Sequence, residues 1–500
     1  MNQKMIEREI TLTEILTARE ERVAIQNELL SSYKVPVVSF TMNIAGPVKV
    51  TGLSHRAFLR GMEQLRLGFV QNRMSVRQEA SRSLPTGDEG YFAVDAPAER
   101  VKALCVELEE STCMGRLFDI DVIGTDGCKL ERGTERPCIV CGKPGRECAS
   151  RRLHSVPELQ AHTAALLRAG LWDADQNRLG ALATQALLDE VAVTPKPGLV
   201  DRANSGAHRD MDFFTFQASA AVLSSYWLDC ARTGHVDRAE SEPSSAAPAE
   251  TFARLRPLGK QAEREMLAAT GGVNTHKGAI FTLGVLCGAA GRRWTAENGF
   301  PAAEAILDEA AAMTRETLEA ELPAAHWNTA GEQLFRQLGT RGIRGEVADG
   351  LPAVREIALP VLRDLLGRGL DRNHAAAVTL LHLIANVEDT NLLHRGGPEG
   401  AAWARQAAAA LLSRSGETMD DTADKQCLSL HRGSKPADKQ CLSLHGGSKP
   451  ADRQCLSLQS AIPTLEQIAA LDRQFIERNL SPGGCADLLA VTLFLNALCK

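Results

Sequence analysis

Apolar and polar positions follow two different patterns along this 500-residue chain. In the first third, short alternating runs predict strands at 35–40, 49–50, 90–94 and 118–123. Longer runs with helical spacing lie between them. They predict helices at 12–31, 54–72 and 98–111. We therefore expect an α/β or α+β domain at this end of the chain.

Beyond about residue 161 the strand pattern disappears. Ala, Leu, Arg and Glu dominate, and apolar residues recur three and four positions apart, which predicts helices throughout. Strongly apolar helices are expected at 213–228 and 374–385. The Ser/Pro/Ala/Glu-rich stretch 234–251 is expected to be an irregular excursion between helices.

A repeated segment at about 421–459 fits neither pattern. A short unit recurs with a period of 14 residues and places cysteines at 427, 441 and 455. Each copy is too short and too polar to bury a core, and Pro and Gly interrupt any helix. A metal site is one interpretation of the cysteines, and an insertion in a surface loop is the favoured one. The rest of the chain divides into a mixed domain at 1–172 and an all-helical domain at 176–500.

Composition narrows the class of protein. A formal charge of −6 and an aromatic content of 4% argue against a nucleic-acid-binding surface. The charged N-terminus is unlike a secretory signal, and the longest apolar runs are too short to span a bilayer. Thirteen cysteines without a signal indicate reduced thiols. We therefore expect a cytoplasmic protein that binds neither nucleic acid nor membranes.

The segment 271–278 is the most informative stretch. The glycine pair Gly271 and Gly272 precedes an apolar helical run, and such a turn lets backbone N–H groups approach a phosphate near the positive end of a helix dipole. An ordinary capped helix start is the alternative. The next four positions add polar side chains and a mobile cation: Asn274, Thr275, His276 and Lys277.

Three further polar islands lie at predicted helix ends, at 194–212, 386–391 and 481–487. The prolines at 195 and 197 make the first island a stiff loop, which loses little entropy on binding a ligand. Each island has an alternative interpretation as a helix cap or a solvated turn. Their candidate residues are Lys196, Asp201, Arg202, Glu388, Asp389, Gly483 and Gly484.

In this order, the islands resemble the triphosphoribosyl-dephospho-CoA synthases, which make the prosthetic-group precursor of citrate lyase. The resemblance extends from about 182 to 498 and includes Glu190, Glu263 and a glycine–acid–arginine stretch at 331–332 and 339–346. It implies that a ribose hydroxyl of 3′-dephospho-CoA attacks the anomeric carbon of ATP and that adenine leaves.

That reaction needs a base, a clamp for the triphosphate and stabilisation of an oxocarbenium-like centre. Lys196, Arg202 and Lys277 suit the clamp. Glu388 and Asp389, with Asp201, suit Mg²⁺. The base is expected to be Glu263 or Glu190, and the sequence does not decide between them.

In the first domain, Asp119 and Asp121 alternate with apolar residues of a predicted strand. Alternation places both carboxylates on one face, where they are suited to hold Mg²⁺ near phosphates. Nucleotidyltransferases with an Asp-x-Asp strand are a structural analogy. Arg116, just before the strand, is a plausible phosphate ligand.

Downstream lie Cys138, Cys141, Cys148 and His154. A zinc knuckle is one interpretation, but the short intervals crowd the ligands, and free thiols beside a basic, phosphate-facing segment are favoured.

With the Asp-x-Asp, this set resembles apo-citrate lyase phosphoribosyl-dephospho-CoA transferase over about 12–167. The resemblance implies that a serine of the citrate lyase acyl carrier protein attacks the α-phosphorus of the first product and releases pyrophosphate. The whole chain thus resembles a bifunctional maturation enzyme of citrate lyase. Two other classes stay open: an all-helical hydrolase of ADP-ribose-like substrates, and a non-catalytic chaperone that docks the carrier protein.

Overall fold

The computed structural model describes residues 7–237, 246–321, 339–414 and 462–499. The first part of the chain combines helices with one sheet. Its elements are α1 (Leu12–Tyr33), β1 (Val37–Met42), α2 (Gly52–Gln71), β2 (Ser75–Leu84), β3 (Gly87–Asp95), α3 (Ala98–Ser111), β4 (Phe118–Ile123) and α4 (Gly145–Ser150).

The sheet is antiparallel with strand order β2-β3-β1-β4, so β4 forms one edge. Its inner face carries Phe40, Phe92 and Ile120, which pack in one buried cluster with residues of α2 and α3. Gly61 of α2 allows this close approach, because an added Cβ would lie 2.3 Å from the Phe40 ring. The opposite face is covered in part by α1, where Leu29 packs against Val37.

Most elements predicted in this part are confirmed, with shifts of a few residues at their ends. Thr11 and Glu14 form a capping box at the start of α1. The predicted strand at 49–50 is wrong, because these residues form an irregular approach to α2. Strand β2 was not expected: its side chains are mostly exposed, so the polar sequence has no alternating apolar signal.

The remaining described residues form helices around a second buried cluster. Their helices are α5 (Val156–Ala192), α6 (Phe213–Val222), α7 (Ser224–Asp237), α8 (Pro248–Ala269), α9 (Lys277–Arg293), α10 (Ala303–Glu321), α11 (Gly342–Ala348), α12 (Leu359–Gly367), α13 (Arg372–Asn386), α14 (Thr390–Arg414), α15 (Leu465–Glu477) and α16 (Gly483–Leu498). No strand occurs among the described residues after 156, apart from an isolated bridge between Thr295 and Gly299.

Two helix predictions need correction. The apolar stretch 213–228 is two helices rather than one, because the chain turns at Leu223 between α6 and α7. The stretch 234–251 is not wholly irregular, since α7 continues to Asp237 and α8 begins at Pro248. The residues between them, the 331–332 pair and the repeat at 421–459 lie outside the described residues.

Helix α5 joins the two halves. It runs unbroken for 37 residues across the expected 172–176 boundary. Leu167 and Leu171 belong to the cluster under the sheet, whereas Leu179 and Leu187 belong to the helical cluster. The two halves are therefore connected by a helix with buried residues on both sides of the boundary.

Candidate active sites

The helical half contains a cavity of about 550 Å³, and most of the predicted islands meet there. Helix ends from distant parts of the sequence form its walls, so their polar groups converge. The predicted residues that line it are Glu190, Lys196, Glu263, Asn274, Thr275, His276, Lys277, Gly483 and Gly484.

A buried ion pair lies on one wall. Lys196 Nζ is 2.5 Å from Glu190 Oε1, and the two side chains are only 1% and 5% exposed. Glu190 lies in the last turn of α5, and Lys196 lies in the loop that follows. Burial raises the pKa of Glu190 above its ordinary value, although the Lys196 ammonium opposes this shift. Glu190 is therefore a carboxylate of increased basicity beside a fixed cation.

Asp201 shapes the loop that presents Lys196. Its carboxylate accepts hydrogen bonds from the backbone N–H groups of Lys196, Ala203 and Asn204 at 2.7–3.0 Å. Arg202 points elsewhere, and its exposed guanidinium donates to Thr194 Oγ1 and Asn373 Oδ1. Neither Asp201 nor Arg202 lines the cavity.

The glycine pair also lies outside the cavity lining. Gly271 and Gly272 have φ of 66° and 94° and form the turn after α8, where the Gly272 N–H donates to the Leu267 carbonyl. They therefore end one helix, and α9 begins only at Lys277. The ammonium of Lys277, at the cavity wall, is 3.3 Å from a Glu263 carboxylate oxygen and about half exposed.

His276 is held by a short chain of hydroxyl groups. Thr275 Oγ1 donates to Ser219 Oγ at 2.8 Å, and Ser219 Oγ is 2.6 Å from His276 Nδ1. If Ser219 donates to Nδ1, the ring carries its proton on Nε2. Burial, together with the Lys196 charge, lowers the pKa of His276 to about 3. The ring is thus neutral, and its buried Nε2 has no hydrogen-bond partner among the described residues.

Asp487 is a further, half-buried carboxylate of the wall that is not among the predicted site residues. Burial and the neighbouring Glu190 and Asp389 raise its pKa well above the ordinary value. A Cβ added to Gly278 would lie 1.9 Å from a carboxylate oxygen of Asp487. Only glycine therefore fits at this position in the first turn of α9. A raised pKa favours the protonated form of the carboxyl group, which can donate a hydrogen bond.

Part of the cavity lining is basic, and most of it was not predicted from the sequence. His208 Nε2 is 2.8 Å from Ser481 Oγ, and Arg395 donates to His208 Nδ1 at 3.1 Å. Burial and the Arg395 charge lower the pKa of His208 to about 4. The polar lining residues absent from the predicted set are His208, Asp210, Arg341, Arg344, Thr390, Asn391, His394, Arg395, Ser481 and Asp487. Several lie within the recognised islands, but nothing in the local sequence marks His394 and Arg395.

Glu388 and Asp389 lie in a neighbouring cavity of about 180 Å³. The Asp389 carboxylate accepts backbone N–H groups of Asn391, Leu392 and Cys485 at 2.7–3.1 Å, and so connects the starts of α14 and α16. Carboxylate oxygens engaged in this way are poorly placed to take a cation as well. Asp201 and Asp389 are therefore better suited to hold the backbone in place than to bind Mg²⁺.

In the first domain, Asp119 and Asp121 lie on one face of β4, as predicted. They are the outward residues of the strand, while Phe118, Ile120 and Val122 are buried. Asp121 is 2.6 Å from the Lys129 ammonium and its side chain is 30% exposed. Two accessible carboxylates on one strand face form a donor set that fits Mg²⁺.

Basic side chains border this strand. Arg136 donates to the Phe118 carbonyl at 2.7 Å, and Arg116 donates to the Pro137 carbonyl. The buried carboxylate of Glu109 pairs with Arg132 and Arg136 and accepts the Ile120 N–H at 2.9 Å. Burial, with the charges of Arg136 and Arg132, lowers the pKa of Arg116. The free edge of β4 is thus covered by cations suited to a phosphorylated ligand.

Comparison with known proteins agrees with this two-site arrangement. Residues 176–433 and 451–500 match the family described as ATP:dephospho-CoA triphosphoribosyl transferase. Residues 10–169 match the family described as apo-citrate lyase phosphoribosyl-dephospho-CoA transferase. The protein is therefore a transferase with two enzymatic parts.

Full-length relatives have the same organisation. Protein CitXG of Haemophilus influenzae is 32% identical over 97% of this chain and 96% of its own length. Protein CitXG of Leuconostoc mesenteroides is 29% identical over 98% of this chain and 97% of its own length. The 2-(5''-triphosphoribosyl)-3'-dephosphocoenzyme-A synthase of Klebsiella pneumoniae is 38% identical over 63% of this chain and 88% of its own length. The chain belongs to both transferase families, fused in one polypeptide.

The resemblance inferred from the sequence is thus confirmed, and the matches favour neither the hydrolase nor the chaperone. Among the described residues, no helix is long and apolar enough to cross a membrane.

Proposed function

We propose that the helical half joins 3′-dephospho-CoA to the ribose of ATP with release of adenine, and that the first domain transfers the product to a carrier protein. The family matches support both steps, and the cavity with the buried Glu190–Lys196 pair carries the first. In that step the C1′–N9 bond of ATP breaks, and a bond forms between C1′ and a ribose oxygen of dephospho-CoA.

Glu190 is our choice for the base. Its raised pKa makes the carboxylate more basic, and Lys196 fixes its position. Glu263 is less suited, because its side chain is one-third exposed and faces the Lys277 ammonium. We therefore assign Glu263 the role of positioning Lys277, which would contact the triphosphate with the arginines of the cavity wall.

The departing adenine needs a proton or a hydrogen bond. Asp487, whose pKa is raised by burial, and the neutral ring of His276 both line the cavity and can donate. A donor of this kind stabilises the leaving group as the glycosidic bond breaks. In this assignment Glu190, beside the Lys196 ammonium, is the base, and Asp487 or His276 is the donor to the departing adenine.

In the first domain, a serine of the citrate lyase acyl carrier protein would attack the α-phosphorus of the triphosphoribosyl product, and pyrophosphate would leave. Asp119 and Asp121 are the residues that would hold Mg²⁺, which supplies charge neutralisation at the phosphates. Arg116 is suited to bind a phosphate oxygen beside them. A nucleotidyltransferase-like fold for this domain is consistent with carboxylates on an edge strand of a small antiparallel sheet.

The decisive experiment incubates the full chain with ATP and measures free adenine, with and without 3′-dephospho-CoA. We expect adenine only when both substrates are present. Adenine or ribose phosphates released without the acceptor would favour a hydrolase and overturn the proposal. Glu190→Gln should abolish release, while Glu265→Gln, on the same helix as Glu263 but absent from the cavity lining, serves as the matched control.

A further inference from the structure

Three cysteines and a histidine of the first domain converge outside both candidate active sites. One ligand atom from each of Cys138, Cys141, Cys148 and His154 lies within 4.8 Å of all the others. Around a tetrahedral zinc ion, ligand atoms bonded at roughly 2.0–2.3 Å are about 3.3–3.8 Å apart. Cys141 Sγ and Cys148 Sγ are already 3.4 Å apart.

The first two cysteines lie in a tight turn. The Cys138 N–H donates to the Lys143 carbonyl at 2.7 Å, and the Gly142 N–H donates to the Cys138 carbonyl at 3.0 Å. Gly142 has a φ of 70°, which favours glycine at this position. The Val140 N–H points at Cys138 Sγ at 3.4 Å. A backbone donor aimed at sulfur stabilises a thiolate, the form that binds a metal.

The other two ligands follow from α4. This short helix supplies Cys148, and the Leu153 N–H bonds to the Cys148 carbonyl at 3.1 Å, which turns the chain back toward the cysteines. His154 Nδ1 then faces Glu158 Oε1 at 3.5 Å, while its Nε2 is buried and has no partner among the described residues. A carboxylate at one ring nitrogen and a free second nitrogen is the usual arrangement of a zinc-binding histidine.

The surrounding segment has almost no core of its own. Among residues 131–155, only Cys148 is buried. A short segment without a hydrophobic cluster needs another source of stability, and a bound metal is a common one. The sequence intervals between the four ligands are short, but the ligands still meet at one point because α4 reverses the chain between Cys141 and His154.

We propose that Cys138, Cys141, Cys148 and His154 bind one Zn²⁺ ion as a structural site. Four protein ligands leave no open position, so this zinc does not take part in the reaction. Its role is to hold the segment that carries Arg136, which bonds to β4, and Pro137, whose carbonyl accepts from Arg116. The zinc site therefore supports the edge on which Asp119 and Asp121 lie.

The test is zinc content measured by mass spectrometry on the full chain after dialysis in reducing buffer. We expect the double variant Cys138→Ser/Cys141→Ser to contain about one zinc per chain less than the parent. Cys128→Ser, at an exposed cysteine of the same domain, should retain the parental content. Equal zinc in the parent and the double variant would overturn the proposal, including the case in which the ion is held by the repeat cysteines.

A second measurement avoids the risk that the variant misfolds. X-ray absorption at the zinc edge of Cys427→Ser/Cys441→Ser/Cys455→Ser protein, which lacks the repeat cysteines, should show three sulfur ligands and one nitrogen. No bound zinc after incubation with ZnCl₂, or bound zinc with fewer than three sulfur ligands, would contradict the site. Both readouts are independent of either transferase activity, so they stand apart from the proposed function.

Discussion

The Glu190–Lys196 pair allows a sharp test, because its removal should affect both folding and catalysis. In Glu190→Gln the amide keeps the shape of the side chain, but the Lys196 ammonium loses its counter-charge while only 1% exposed. Leaving one partner of a buried ion pair uncompensated typically costs about 3–5 kcal/mol. We expect Glu190→Gln to lower the free energy of unfolding of the helical half by an amount of that order and to abolish adenine release.

The double variant Glu190→Gln/Lys196→Met separates the cost of an unpaired buried charge from the loss of the carboxylate itself. With no unpaired charge left, it should be less destabilised than the sum of the two single variants. Thermal unfolding followed by circular dichroism, together with the adenine assay, gives both quantities. Stability should return in part, whereas activity should not.

The exposed pair between Arg256 and Glu321 is the matched control. Its side chains are 42% and 36% exposed, so solvent screens the charges, and Glu321→Gln should cost less than about 1 kcal/mol. If Glu190→Gln were no less stable than Glu321→Gln, the pair would not be desolvated as the structure indicates. The reasoning for Glu190 as a perturbed base would then fail as well.

Three further predictions rest on the geometry of the two sites, and a fourth rests on the sequence of the repeat. Asp119→Asn and Asp121→Asn should abolish carrier-protein loading, measured by mass spectrometry, and leave adenine release unchanged. Lys277→Ala should raise the KM for ATP and lower turnover, since a charge-assisted contact is worth roughly 1.5–3 kcal/mol. Because the pKa of His276 is about 3 in the folded protein, the ring stays neutral there, whereas in the unfolded chain it gains a proton below about pH 6.5. The free energy of unfolding should therefore fall as the pH drops below about 6.5, by up to about 1.4 kcal/mol per pH unit, and His276→Gln should flatten this slope. Deleting 424–458 should change both activities by only a few-fold, because loop length costs about 0.6 kcal/mol per doubling.

Controls make these outcomes specific. Asp95→Asn changes a carboxylate at the end of β3 that pairs with Arg77, so it should leave loading intact. Lys260→Ala removes a cation of α8 that does not line the cavity, so the ATP dependence should stay parental. Loading that survives in both Asp119→Asn and Asp121→Asn would reduce the Asp-x-Asp to a strand feature. A pH profile of His276→Gln identical to that of the parent would assign the acid sensitivity to other groups.

The sequence alone predicts a structural element where a local pattern of residue types is enough to determine it. Strand β4 was predicted because apolar residues alternate with Asp119 and Asp121, and burial follows that alternation. The polar islands were found because each lies at a helix end, and helix ends are where this helical fold forms its cavity. A local pattern cannot reveal β2, whose stability comes from pairing with β3 rather than from a buried face.

Roles within the islands depended on contacts between distant segments. Gly271 and Gly272 have the backbone freedom of a phosphate loop, but the structure uses it to end α8. Asp389 has the chemistry of a metal ligand, yet the backbone of α16 engages it. Asp487 gains its raised pKa from burial near Glu190, about 300 positions away in the sequence. Residue type therefore predicted many of the segments that line the cavity, whereas tertiary packing decides which of their groups face it.

The connection between the two halves shows why fused domains need not be joined by a flexible linker. The two family matches end and begin at residues 169 and 176, inside α5. There Asp175 is buried and accepts hydrogen bonds from Arg60 at 2.9 Å and Trp294 Nε1 at 2.7 Å, with Arg56 as a further partner. Arg60 and Arg56 come from the sheet domain, and Trp294 comes from the helical half. The carboxylate thus accepts hydrogen bonds from both sides, so these contacts hold the two halves against each other.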